Sequence, residues 1–269
     1  MCVCVQNAFH VTVTIRPFFS KPHSVMHNKI NGRLVPCSHI PNQNHLLASL
    51  SPAVYGRLLP HLKIIRVWKN KTFAEPGKCS DVVYFPVDCV ISIYRTLKNG
   101  VSTEIAMIGN EGMFDITCVV GGVSMSYLVT AQTTGHAFLV DRHLLKQEFD
   151  RDETMQHTFL LYAQALFAQM AQKIVCSKHH SLTQQLCLLL LLVNDKSLSS
   201  DLFITQETIA QMMGVRREGV TEAAGKLRDN GLIDYTRGHI VVIDRPGLKK
   251  QCCECYAVVR NEFKRLLGY

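Results

Sequence analysis

Two adjacent arginines, Arg216 and Arg217, stand where a helical pattern begins inside the stretch FITQETIAQMMGVRREGVTEAAGKLRDNGLI, residues 203–233. A guanidinium is a planar fork of donors, and the fork matches guanine O6 and N7 when it is carried at the start of a helix lying in a DNA major groove. Glu218, Thr221 and Glu222 continue the polar set along the same end and outer side of that helix. An arginine pair on a helix is also the ordinary mark of a solvated face, so the chemistry depends on what holds the helix.

The flanking residues supply the holder. Thr205 is placed to cap a first helix, Gln206 and Glu207 enrich its first turn, and Ile209, Ala210 and Met213 form its inner face. Gly214 permits a sharp turn. The second helix then turns Val220, Ala223, Ala224 and Leu227 inward. Two helices joined by a glycine turn, with small residues where they cross, form a helix-turn-helix. The following GLIDYTRGHIVVID gives two short strands around Arg237-Gly238, the wing of a winged variant. Thr205, Gln206, Arg216, Arg217, Glu218, Thr221, Glu222 and Arg237 are therefore the expected contacts to double-stranded DNA. The competing reading is an interaction module that turns the same motif against another protein.

Upstream, the pattern is different. IIRVW, DVVYFP, CVISIYRTL, TEIAMIG, YLVTAQTT and GHAFLVD are short runs rich in Val, Ile, Tyr and Thr, separated by turn signals such as Asn99-Gly100 and Gly121-Gly122. They predict a jelly roll. A helix is expected over 152–179, with a stripe of Met155, Phe159, Tyr162, Leu166, Met170 and Lys173 at spacings of three and four. Such a stripe suits a partner helix and hence a homodimer; packing on the chain's own sheet is the alternative. LCLLLLLV, residues 186–193, is far short of the ~20 residues of a membrane span and reads as a buried helix. The fold class is α+β: a tail over 1–45, with Met26 a candidate start, a β-roll sensor over 46–151, a dimerisation helix over 152–182, and a winged helix-turn-helix domain over 183–269.

The chain has 269 residues, 47% of them hydrophobic and 19% charged, with a formal net charge of +8. That composition supports a normal core. The positive excess concentrates in the N-terminal third and is small from Thr183 onward, so net charge by itself does not single out the DNA-facing helices. The 11 cysteines are odd in number and without a regular framework, and no secretory leader pattern opens the chain, which fits a reducing cytoplasm and no membrane partner. No G-x-S-x-G, P-loop, dinucleotide fingerprint or zinc-hydrolase motif occurs, so an enzyme is not expected.

The order of β-roll, long helix, LTQQLCLLLLLV, the helix-turn-helix stretch and RGHIVVIDRPGLKKQCCECY resembles the Crp/Fnr superfamily of bacterial transcription regulators, from about Leu46 to the C-terminus and most specifically from Thr205 to Tyr256. The resemblance implies a sensing β-roll, a dimerising long helix and a second motif helix in the major groove, with RNA polymerase a further candidate partner. It implies that Arg217 and Glu218 contact a guanine and a cytosine. Glu222 departs from the family, where arginine is frequent. In members that bind cyclic nucleotides, a glutamate holds the ribose and an Arg-Ser pair clamps the phosphate. Here Met113 takes the glutamate's place and Met125-Ser126 that of the pair, and no arginine lies from Thr96 to Val140. A thioether neither neutralises a phosphate nor offers a fork, so no cyclic-nucleotide site is expected and the effector is left open. Cys2, Cys4 and Cys37 do not make a compact iron–sulfur set. Cys252 and Cys255 are read on one helical face as small packed side chains, with no metal assigned. His136, His143, His157, His179 and His180 leave haem ligation open without favouring it.

Overall fold

The computed structural model describes residues 27–30, 33–36, 39–77, 80–121, 126–197, 201–236 and 238–269. The chain divides between residues 38 and 39. Before the division, β1 (His27–Ile30) and β2 (Arg33–Pro36) pair as an antiparallel hairpin, where the sequence shows no lasting periodicity.

The second unit begins earlier than the expected boundary at residue 46. Asn44, assigned by the sequence to the tail, is fully buried. Its Oδ1 accepts from Leu47 N at 3.0 Å, capping α1 (His45–Ala48), and its Nδ2 donates to Pro86 O at 2.9 Å and to Gly112 O at 2.8 Å. One polar side chain satisfying three backbone groups leaves no hydrophobic period to read. Ser51 then caps α2 (Pro52–Leu58).

The roll is built from β3 (Lys63–Val67), β4 (Thr72–Ala74), β5 (Val82–Pro86), β6 (Ile91–Thr96) and β7 (Ser102–Ile108). After the short helix α3 (Ile116–Val120) come β8 (Leu128–Ala131) and β9 (Gly135–Asp141). They form two antiparallel sheets, β3-β9-β5 and β4-β8-β6-β7, which is the expected double-sheet roll. β-branched and aromatic residues alternate into the space between the sheets, where Val83, Phe85, Ile91, Val129, Phe138 and Val140 are buried. Gly100, at φ +83°, closes the β6–β7 hairpin, a conformation in which a Cβ is disfavoured.

The chain leaves the roll through α4 (Arg142–Arg151), capped by Asp141, a helix the sequence reading does not contain. Asp152 then caps α5 (Glu153–His179). The stripe assigned to a partner faces inward instead. Met155, Phe159, Tyr162 and Leu166 are buried, Tyr162 donates its hydroxyl to Met113 O at 2.8 Å, and Lys173 pairs with Glu104 of β7 at 2.6 Å. Gly112 is required beneath Tyr162, because a Cβ there would overlap the phenol ring. The opposite face of α5 carries the exposed apolar residues Leu160, Phe167 and Ile174.

The remaining elements are α6 (Leu182–Ser197), β10 (Asp201–Leu202), α7 (Gln206–Met213), α8 (Arg217–Asp229), β11 (Ile233–Thr236), β12 (His239–Val242), α9 (Arg245–Gln251) and α10 (Cys255–Leu267). The leucine run of α6 is the core of this half: Leu186, Leu190, Leu191 and Val193 are almost completely buried and α8 and α9 pack on them. Helix α10 runs back along α5, and Tyr269 beyond it donates to Glu111 O at 2.7 Å.

Candidate nucleic-acid interface

Thr205 is the N-cap of α7, accepting from Thr208 N at 3.0 Å. Ile209 and Ala210 are buried as expected, but Met212 is the buried methionine and Met213 only partly so, since the step of three from Ile209 lands on the core side. Gly214 ends the helix at φ +68°, and its amide donates to Gln211 O at 3.3 Å. Arg216 then sits at the N-cap of α8 in extended conformation. Val220, Ala223, Ala224 and Leu227 are buried along the inner face of α8. Burial of Val220 and Leu227 contributes about 1.5–3 kcal/mol each to holding the helix.

The outer side of α8 is open. Arg216, Arg217, Glu218, Thr221 and Glu222 are all exposed. Two of the expected contacts bind one another: Thr221 Oγ1 donates to Gln206 Oε1 at 2.8 Å, tying the first turn of α7 to the second helix. Glu222 pairs with Lys226 one turn on, at 2.8 Å, and the ammonium holds its carboxyl below the ordinary glutamate range. Its charge is thereby partly offset. β11 and β12 pair antiparallel next to α8, with β10 on the far side of β12, as a wing requires. The wing-tip Arg237 lies outside the described residues.

A helix-turn-helix with a sheet wing presents a protruding helix whose free backbone amides and first-turn side chains face outward, the geometry that places side chains against base edges. The family profile of the Crp-like helix-turn-helix domain matches residues 184–251. The chain carries a Crp-like helix-turn-helix domain over those residues. It is 24% identical over 221 residues to the global nitrogen regulator of Synechococcus elongatus, spanning 79% of this chain and 99% of that protein. The same fold occurs in FixK2 from Bradyrhizobium japonicum, with a TM-score of 0.61 at 15% identity, covering 71% of this chain and 98% of that one. A Crp/Fnr-family transcriptional regulator from Thermus thermophilus aligns with a TM-score of 0.58 at 18% identity, covering 70% and 97%.

The roll meets the helix-turn-helix half along β7 and the loop that follows it. Lys173 of α5 bonds Glu104 of β7 at 2.6 Å and reaches Met212 O at 3.5 Å, while Glu104 also accepts from Ser92 Oγ at 2.5 Å. A Cβ on Gly214 would stand 2.9 Å from Thr103 Oγ1, so the turn of the motif lies directly on β7. Lys196 of α6 pairs with Glu111, in the loop after β7. Beside the junction is a cavity of about 360 Å³, lined by Glu104, Met107, Gln169, Leu188, Met213 and Val259.

At the positions compared with a cyclic-nucleotide site, Met113 is fully buried and its carbonyl is taken by Tyr162. Met125 lies outside the described residues. Ser126 does have an arginine: Arg95 Nη1 donates to Ser126 O at 2.7 Å and to its Oγ. Arg95 lies one residue before the span from Thr96 to Val140, near the end of β6, which pairs with β8, so the neighbour comes across the sheet. The pairing of Tyr94 in β6 with Leu128 at the start of β8 is the signal that reveals it. Arg95 is exposed and its guanidinium lies 5.5 Å from the Tyr127 ring.

Among the histidines, His136 bonds Asp88 through Nδ1 at 3.2 Å, and His180 joins a group of cysteines. Cys252 and Cys255 do not share a helical face, contrary to the sequence reading: Cys252 is the C-cap of α9 and Cys255 opens α10. A helix boundary inside QCCECY breaks the period that spacing alone assumes.

Proposed function

We propose that two copies of this chain pair through the outer face of α5 and read an inverted-repeat operator, one α8 per half-site. The observation that carries the DNA contact is the open first turn of α8 with Arg216 and Arg217 on it, supported by a tight glycine turn and a wing. Arg217 forks onto a guanine and Glu218 accepts from a cytosine, while Arg216 meets phosphate. Thr205, Gln206, Thr221 and Arg237 complete the contact set, and Glu222 disfavours a third guanine. The roll through Arg151 senses, residues 152–182 dimerise, and residues 183–269 bind DNA in the cytoplasm.

The dimer rests on a second stripe of α5. His157, Leu160, Gln164, Phe167, Ala171, Ile174 and Lys178 recur at alternating steps of three and four, and all are exposed. Leu160 is 54% exposed, Phe167 72% and Ile174 60%. A helix apolar on two faces needs two partners, and a 3-4 spacing is the pattern of a paired helical seam. The 18-residue window of α5 has a mean hydropathy of 1.2, long and apolar enough by composition to cross a membrane. Its inner face carries Tyr162, Gln169 and Lys173 bonded to the sensor, which favours a second copy as the occupant of the outer face. One recognition helix per chain then gives a two-fold protein, whose half-site centres are spaced about 10 bp or a multiple apart. Footprinting tests this: protection of paired half-sites is expected, and stable protection of one isolated half-site by a monomer contradicts it.

Cyclic AMP and cyclic GMP are not expected to act as effectors. Arg95 brings one cation to the rim, but a buried thioether stands where the family's ribose-binding carboxylate belongs. A buried anion without compensating donors loses several kcal/mol of hydration. Millimolar nucleotide is expected to give no heat of binding and no change in operator affinity. Micromolar binding overturns this, and binding without altered DNA affinity would mark a site uncoupled from DNA.

Use of the motif against a protein instead of DNA is distinguished by salt. Phosphate contacts release counterions, so the logarithm of the affinity for DNA falls linearly with log salt, by a slope of about −0.9 per contact.

A further inference from the structure

We propose that Cys176, His180, Cys253 and Cys255 form a structural zinc site that fastens the C-terminal helices of the DNA-binding half to the end of α5. One ligand atom from each lies within 4.8 Å of all the others. Cys176 Sγ and Cys253 Sγ are 3.7 Å apart, and Cys255 Sγ is 3.4 Å from His180 Nδ1. Tetrahedral zinc, with Zn–S of about 2.3 Å and Zn–N of about 2.0 Å, requires sulfur–sulfur edges of about 3.8 Å and sulfur–nitrogen edges of about 3.5 Å. These two separations match edges of such a tetrahedron. A Cys3His set with all four positions taken is the donor set of a structural and not a catalytic zinc.

The surroundings match as well. With His180 Nδ1 turned to the sulfurs, its Nε2 faces Glu254 Oε2 at 3.3 Å, the carboxylate–histidine–metal relay that fixes the ring. Gln172 Nε2 donates to Cys255 Sγ at 3.0 Å, a bond that favours thiolate. Cys176, Cys253 and Cys255 are buried, so the sulfurs are shielded from water. Zinc binds thiolate, so uptake must release the protons of the cysteines. The ligands come from α5, the link between α5 and α6, the link between α9 and α10, and the first residue of α10. Zinc would thus set the angle at which the DNA-binding half meets the dimerisation helix. That consequence rests on the proposed function; metal binding does not.

The same atoms admit two other readings, three thiols packed as small side chains and a Cys176–Cys253 disulfide, and one experiment separates them. Full-length protein is purified in a phosphine reductant and its zinc measured by plasma mass spectrometry. About one zinc per chain is expected, and cobalt exchanged into the protein should show thiolate-to-cobalt charge transfer and tetrahedral d–d bands. Cys253→Ser and His180→Ala should lower zinc affinity by more than about 100-fold, Glu254→Gln by about 10-fold, and Cys252→Ser, whose sulfur points to Gln184 O, should leave it unchanged. Apparent affinity should fall as pH is lowered. Absence of zinc and of a cobalt spectrum from the wild-type protein overturns the proposal, whether or not the variants fold. Equal loss in Cys252→Ser and Cys253→Ser also overturns it, as does a Cys176–Cys253 disulfide found by mass spectrometry after purification without reductant. Retained zinc with no DNA binding would overturn the proposed function and leave the metal site standing.

Discussion

Phe167→Glu is expected to produce a folded monomer that no longer holds its operator. In the single chain Phe167 is 72% exposed on the outer face of α5, so the substitution removes little internal packing. In the proposed dimer it lies at the middle of the seam, between Gln164 and Ala171, and its two-fold mate lies near it. Each copy then loses the burial of an aromatic ring, about 1.5–3 kcal/mol, and must desolvate a carboxylate close to a like charge. The dimer dissociation constant should rise at least about 100-fold, and operator affinity should fall by a similar factor because one half-site cannot replace two. Analytical ultracentrifugation with far-ultraviolet circular dichroism checks it. A Phe167→Glu protein that stays dimeric at micromolar concentration places the interface elsewhere. Phe159→Ala, in the inner stripe, should instead lower thermal stability, by about 3–5 kcal/mol, because Phe159 is fully buried against the chain's own core.

Arg217→Ala should cost about 1–3 kcal/mol per half-site and relax the preference at one G·C pair, since a bidentate fork is worth that much against the wrong base. Two half-sites make the loss about 30- to 10⁴-fold on an operator. Arg216→Ala, as a phosphate contact, should weaken operator and random DNA alike and reduce the salt slope by about one per half-site. Competition binding with operator duplexes altered at single pairs reads both outcomes. Equal losses on operator and random DNA for Arg217→Ala remove it from base reading.

The parts legible in the sequence are those whose cause is local. Thr205 caps, Gly214 turns, and Val220, Ala223, Ala224 and Leu227 recur with the helical period, so the motif is readable over a short span. The strands of the roll are readable because side chains alternate between two faces. Helix α5 is readable in extent but not in orientation. Its inner stripe at 155, 159, 162 and 166 and its outer stripe at 157, 160, 164 and 167 are offset by two residues and one in alternation, which averages about 150° around the axis. Both satisfy the same spacing rule, and only the presence of the roll decides which one it buries. What escapes the sequence is contact between distant segments. Arg95 reaches Ser126 across a sheet, Asn44 joins Pro86 to Gly112, and Cys176 meets Cys253. Each depends on a tertiary approach that no periodicity encodes.

The most direct measurement of the central claim is selection of duplexes from a random DNA pool by the purified full-length protein, followed by binding of the enriched sequence across a range of salt. Enrichment of an inverted repeat with a G·C pair in each half-site, bound at least about 10³-fold more tightly than scrambled DNA and weakening linearly with log salt, is the predicted result. Recovery of sequences with no common half-site, bound no better than scrambled DNA, would contradict it.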